Sequence, residues 1–279
     1  MTLQREAQIT KEEENSNAEN HGYQTVFPVQ QHNGVLAGQR VGPLVHAVHM
    51  RLEADRLAVD RDVQRHRHLD PDDLAPGHLD RVPLDHLHDP LTLREMDVAV
   101  ERMFRAVQAR EHVAIHGDFD VDGITGCALL SETLAELQLD GRRVRIEPAF
   151  IPDRATDGYG VAGRMIREWA SRGVTLLITV DTGAAAVAEI RQARELGMDV
   201  IVLDHHIFEE RPAATAVVNP RRDDATYPNG ELCGVAVAFK FAQALKQSEP
   251  RCLPDGFLAS VLDLVALGLV ADQMALVGE

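Results

Sequence analysis

The sequence predicts an α/β fold: a mostly parallel sheet flanked by helices, preceded by an irregular or disordered N-terminal segment. Three observations carry that reading. From residue 92 onward strand-like and helix-like runs alternate, the strand runs are near-continuous in Val, Ile and Leu, and charged motifs stand where the strands would end. Continuous apolar strands are buried on both faces, as in a parallel sheet covered by helices. Ligands of such sheets bind beyond the carboxyl ends of the strands.

Residues 1–60 are polar and weakly periodic, which reads as a disordered or appended tail. Over 61–91, His66, His68, His78, His86 and His88 are spaced irregularly among prolines, which suits a solvated connector better than a metal site. The main domain is expected over 92–279. Thr92-Leu93-Arg94-Glu95 reads as a capping box, and Met96, Val100, Met103 and Val107 recur at helical spacing behind it. Strands are expected in HVAIHGDF, RVRIEPAFI, TLLITVD, DVIVLDH and TAVVNP. Helices are expected over Ile124–Leu139, Val161–Ser171, Ala185–Leu196 with Gly197 closing it, Val235–Leu245, and 256–272.

A chain of 279 residues can bury a substantial core in one or two domains. Its formal charge of -16 argues against coating nucleic acid by bulk electrostatics, while leaving room for a local basic track or a metal-mediated phosphate site. Cys127, Cys233 and Cys252 are too widely spaced for a zinc knuckle or a disulfide framework. No run approaches the roughly 20 apolar residues of a membrane span, and the polar opening lacks a signal-peptide core, so a cytoplasmic location is expected.

The chemistry concentrates at His116-Gly117-Asp118-Phe119-Asp120-Val121-Asp122-Gly123. If the strand continues through it, Asp118, Asp120 and Asp122 start on one side of the sheet. Clustered carboxylates ask for a cation, although acidic runs of this kind also serve as calcium-type loops or solvated turns. Asp181-Thr182-Gly183 and Asp204-His205-His206 end two further strands, and Asp272 closes the apolar run LDLVALGLVAD. Carboxylates with a few imidazoles and no thiolate suit manganese or magnesium, and one aspartate can bridge two such ions about 3.5–4 Å apart.

In that order, IHGDFDVDGITG, TVDTG, VLDHH and LDLVALGLVAD resemble the four signatures of the DHH phosphoesterase superfamily. Within it, IPDRATDGYG, VVNPRRDDATYP and CGVAVAF resemble the family of 5′-to-3′ exonucleases specific for single-stranded DNA. The resemblance implies one ion held by His116, Asp120 and Asp181, and a second held by Asp122, Asp181, His205 and Asp272. It implies that His206 contacts the scissile phosphate, with Asp204 and Asp118 in support, and that two cations activate water for hydrolysis. Arg154, and less strongly Arg221 and Arg222, are candidate phosphate contacts; Gly158 and Gly160 would let a strand approach the backbone or serve a turn. Single-stranded DNA is the implied partner, alongside other DNA-repair proteins.

Relatives of this kind continue into a second cleft domain and an oligonucleotide-binding barrel, and no segment here matches either. The expectation is therefore an N-terminal metal-binding domain whose action on long single strands is impaired. Two other classes stand beside it: a phosphatase or phosphodiesterase acting on short oligonucleotides or small phosphate esters, and a non-catalytic remnant.

Overall fold

The computed structural model describes residues 87–276. The N-terminal tail and the connector histidines His66, His68, His78 and His86 lie outside the described residues; His88 packs edge-on to Tyr227, with ring centroids 5.8 Å apart.

Five parallel strands form one sheet: β1 (His112–His116), β2 (Arg145–Ile146), β3 (Leu176–Val180), β4 (Asp199–Leu203) and β5 (Ala216–Val218), in the order β2-β1-β3-β4-β5. Among the described residues seven α-helices accompany them: α1 (Met96–Ala109), α2 (Val121–Glu136), α3 (Gly163–Ser171), α4 (Val187–Glu195), α5 (Gly234–Ser248), α6 (Phe257–Ser260) and α7 (Leu262–Ala271). Strand alternation divides the core in two. Val113, Ile115, Ile178, Val180, Ile201 and Val218 face one side, where α1, α2, α5, α6 and α7 supply the covering residues. Ala114, Leu177, Val200, Val202 and Val217 face the other, covered by α3 and α4 with Ile166, Trp169 and Ile190. The expected α/β class, a parallel sheet flanked by helices, is what the structure has. Strand order reverses direction between β1 and β3, and that switch opens a crevice at the carboxyl ends.

Several boundaries differ from expectation for identifiable reasons. The capping box is not formed. Thr92 belongs to a 3-10 turn (Pro90–Thr92) capped by Asp89, and Glu95 is instead a left-handed residue (φ 63°) preceding α1. The Glu95 carboxylate accepts from Arg211, Arg222 and the Val217 amide, which pins β5 beside α1. In RVRIEPAFI only Arg145 and Ile146 pair continuously with β1; contact resumes at Phe150, beyond Pro148, which has no N–H to give. The run 256–272 is two helices that meet at Val261 (φ -109°).

At the amino ends of the strands, opposite the crevice, Arg102 on α1 lies 4% exposed. Its guanidinium donates to Asp199 at 2.6 Å and to Glu111 at 2.7 Å, and Glu111 also accepts from Thr175. One cation thus ties α1 to the starts of β1, β3 and β4. Replacing Arg102 by Ala should cost about 2 kcal/mol, less than for a fully buried pair because both carboxylates keep some water. Urea unfolding measures it, and a loss below about 0.5 kcal/mol would mean that the pair behaves as an ordinary surface bridge.

Candidate metal centre

The acidic loop is built by a turn rather than by strand alternation. β1 ends at His116, Asp118 lies in the connection, Asp120 is the N-cap of α2, and Asp122 falls in the first helical turn. Asp120 accepts from the Gly123 amide at 2.9 Å. A side chain at position 123 would put its Cβ 2.5 Å from the Asp118 carbonyl oxygen, so only glycine lets the loop fold back this tightly. Asp122 is buried, and both its oxygens accept main-chain amides from the start of α5: Gly234 at 2.6 Å and Val235 at 2.9 Å.

Asp181 follows β3 in a left-handed conformation (φ 57°), a region that aspartate tolerates better than most residues, and its side chain is 1% exposed. Around it three strand ends converge. His205 Nε2 lies 3.1 Å from Asp181 Oδ1 and 3.7 Å from both Asp122 and Asp272. Three overlapping groups of ligand atoms, each within 4.8 Å of one another, result: Asp118 with Asp120 and Asp181; Asp122 with His205 and Asp272; Asp181 with His205 and His206.

Burial, reinforced by Asp122, Asp120 and Asp204, pushes the Asp181 carboxyl far above the usual carboxylate range. Burial also raises Asp118 and Asp272, and it lowers His205. Asp181 Oδ2 and His205 Nδ1 are buried with no hydrogen-bond partner among the described residues. Orphaned donors and acceptors of this type, crowded with like charge, are what a divalent cation would satisfy. The oxygen-rich donor set with imidazole fits manganese or magnesium.

His205 and His206 are neighbours with opposite electrostatics. Asp204, fully buried, accepts from the amides of Ala184, His205 and His206 and from His206 Nδ1 at 2.8 Å. Burial pushes the Asp204 carboxyl up, but these donors outweigh it and leave it below its ordinary value. The same hydrogen bond raises His206, whose side chain is 55% exposed. The main chain of His206 is fixed as well, because the buried Asn219 donates to its carbonyl at 2.9 Å. Asn219 and the α5 amides lie in VVNP and CGVAVAF, whose residue types carry no signal of these contacts on their own.

The structure does not bring His116 to the carboxylates. Its ring is fully buried and lies edge-on to Phe150 and Trp169. Nδ1 donates to the Gly117 carbonyl at 2.8 Å while Nε2 accepts the Ala162 amide at 2.9 Å, so both nitrogens are engaged and the ring is neutral. Asp118 stands with Asp120 and Asp181 instead. Arg154 has no carboxylate partner among the described residues and stacks over Phe119 and Tyr159, at 5.4 and 4.9 Å from the ring centroids, at the mouth of the acidic loop. Arg222 points elsewhere: Glu95, Asp224 and the Val217 carbonyl take its guanidinium. Arg221 lies near Glu231 and Met274. Gly158 and Gly160 have positive φ, and open space where a side chain would go.

Comparison with known proteins adds a second line of evidence. Residues 112–269 match the family model described as "DHH family, N-terminal domain". The single-stranded-DNA-specific exonuclease RecJ of Bacillus subtilis is 42% identical over 195 residues, covering 69% of this chain and 23% of that protein. RecJ of Escherichia coli is 37% identical, covering 66% of this chain and 32% of its own length. Among solved structures, exonuclease RecJ bound to manganese superposes with a TM-score of 0.57 at 32% identity, over 69% of this chain and 46% of that one. RecJ of Thermus thermophilus with Mn2+ gives 0.53 at 30% identity, over 70% of this chain and 26% of that one. The chain thus spans about a quarter to a third of the length of these curated relatives.

Burial lowers the His116 pKa to about 4 from 6.5. Between those values the unfolded chain binds more protons, so this contribution to stability is complete above pH 6.5 and is lost as the pH falls through the window. In EDTA, stability should drop by roughly 2 kcal/mol from this source between about pH 7.5 and 5, and His116→Gln should remove that slope. Equal pH dependence of urea unfolding in both proteins would refute it.

Proposed function

The chain belongs to the DHH family, and on that premise we propose that this domain hydrolyses phosphodiester bonds of single-stranded DNA from the 5′ end, using two manganese or magnesium ions. The observation that carries the reading is the convergence of Asp118, Asp120, Asp122, Asp181, His205 and Asp272 from separate elements around an Asp181 oxygen that has no protein partner. The substrate class is supported by the relatives, which are named as exonucleases specific for single-stranded DNA.

Asp118, Asp120 and Asp181 would hold one ion, and Asp122, Asp181, His205 and Asp272 the other. When bound, such a pair lowers the pKa of water and offsets charge on the phosphoryl oxygens. The remaining chemistry belongs to the chain. Asp204 accepts a hydrogen bond from His206 Nδ1–H and favours the imidazolium, leaving Nε2–H free to donate to a phosphoryl oxygen. The hydrogen bond from Asn219 fixes that ring's backbone. Arg154, exposed and stacked at the loop mouth, is the guanidinium best placed to meet a substrate phosphate. Arg222 is less well placed, because Glu95, Asp224 and the Val217 carbonyl already take its donors.

Titration of manganese against 5′-labelled single-stranded DNA and a short oligonucleotide tests the proposal. Turnover should require the metal and fall to background in Asp181→Ala; equal activity in the two proteins would sink the two-cation assignment. Cleavage confined to the short substrate would favour the small-phosphodiesterase reading, and metal binding without turnover would favour a non-catalytic module. Arg154→Ala should lower kcat/KM on DNA by about tenfold while leaving manganese affinity unchanged.

A further inference from the structure

Helix α7 is apolar, and glycine in the interior of such a helix is destabilising relative to alanine. Gly268 sits there nonetheless, buried, one turn before the helix ends. A Cβ at this position would lie 2.4 Å from Val235 Cγ1, 2.8 Å from Asp122 Oδ1 and 3.1 Å from Thr125 Oγ1. The first atom belongs to α5 and the other two to α2, so Gly268 is the point where three helices meet.

Two hydrogen bonds give that meeting point a direction. The Asp272 amide donates to the Gly268 carbonyl at 2.9 Å, so Asp272 moves with Gly268. The Val235 amide donates to Asp122 Oδ1 at 2.9 Å, on the oxygen that the missing methyl would crowd. Asp122 and Asp272 each stand 3.7 Å from His205 Nε2. The Asp118, Asp120 and Asp181 group takes no ligand from α5 or α7; α5 reaches it only where Gly234 packs against Asp181.

We infer that Gly268 is a positioning residue for the second cation: by lacking a side chain it lets α7 approach Asp122 closely enough for Asp272 to complete the group with His205. This rests on the two-cation reading proposed above. A methyl at 268 pushes α7 off α2 and α5, carries Asp272 away from Asp122, and displaces no ligand of the first group directly. Activity would fall, but so would it for many lesions, so the distinguishing readout is the number and coupling of bound manganese ions.

The experiment is a manganese titration of the whole chain followed by electron paramagnetic resonance and calorimetry, comparing the native protein with Gly268→Ala. The native protein should take up two ions with a spin-coupled signal. The variant should keep the first ion at native affinity, bind the second about 10- to 100-fold more weakly, and show an uncoupled signal. Fewer than two ions in the native protein would overturn the two-cation reading and this inference with it. Two coupled ions at equal affinity in both proteins would overturn the role of Gly268 alone. Should Gly268→Ala fail to fold, Val235→Ala added to it removes the nearest clash while the new methyl still faces Asp122. That double variant should fold and still lose the second ion; native binding of both ions, or failure of both variants to fold, assigns Gly268 to the core and overturns the inference.

Discussion

Carboxylates buried against one another set the terms for the whole domain. Asp181 lies beneath the surface with the buried Asp122 and Asp204 and the exposed Asp120 close by, and water is too scarce around the buried three to screen them. Folding brings these groups together only because the sheet, the helix starts and the main-chain amides hold each one in place. The helix-start amides at Asp122, the triple amide contact at Asp204 and the tight turn after Asp118 all serve that end. Protons are the default compensation for the crowding, and divalent cations are the one that brings chemistry with it.

The opposite ends of the strands show how the domain bears this concentration of charge. There Arg102 and Arg194 together pair Glu111 and Asp199 within the protein, so that end is electrostatically closed. At the carboxyl ends no lysine or arginine bridges the carboxylates of the centre among the described residues. Polarity is thus distributed unevenly along the strand axis, with self-sufficient pairs where the sheet begins and unsatisfied groups where it ends.

Much of this was legible in the sequence. Val/Ile/Leu runs separated by helical spacing gave the parallel sheet, and acidic motifs at successive strand ends located the crevice. Boundaries were missed where a local contact overrode a pattern. Glu95 read as the far end of a capping box, yet its carboxylate is claimed by arginines more than a hundred residues away. The family resemblance suggested His116 as a ligand, and motif order alone does not show that Ala162, on the segment before α3, supplies an amide to its outer nitrogen. The sequence favours Arg154 over Arg222 as a phosphate contact, but only the fold shows one stacked and open and the other enclosed by carboxylates. Gly268 lies in a run that reads as plain apolar helix, and its meaning depends on which two helices it touches.

The ring packing behind β1 has an optical consequence. The chain contains a single tryptophan, and Trp169 is buried edge-on against His116 and Phe150 on the face of the sheet away from α2, α5 and α7. Its fluorescence therefore comes from one known environment, shielded from solvent and next to a neutral imidazole. Since an imidazolium quenches indole emission more strongly than the neutral ring does, the domain carries its own internal indicator of the His116 protonation state, with no introduced label.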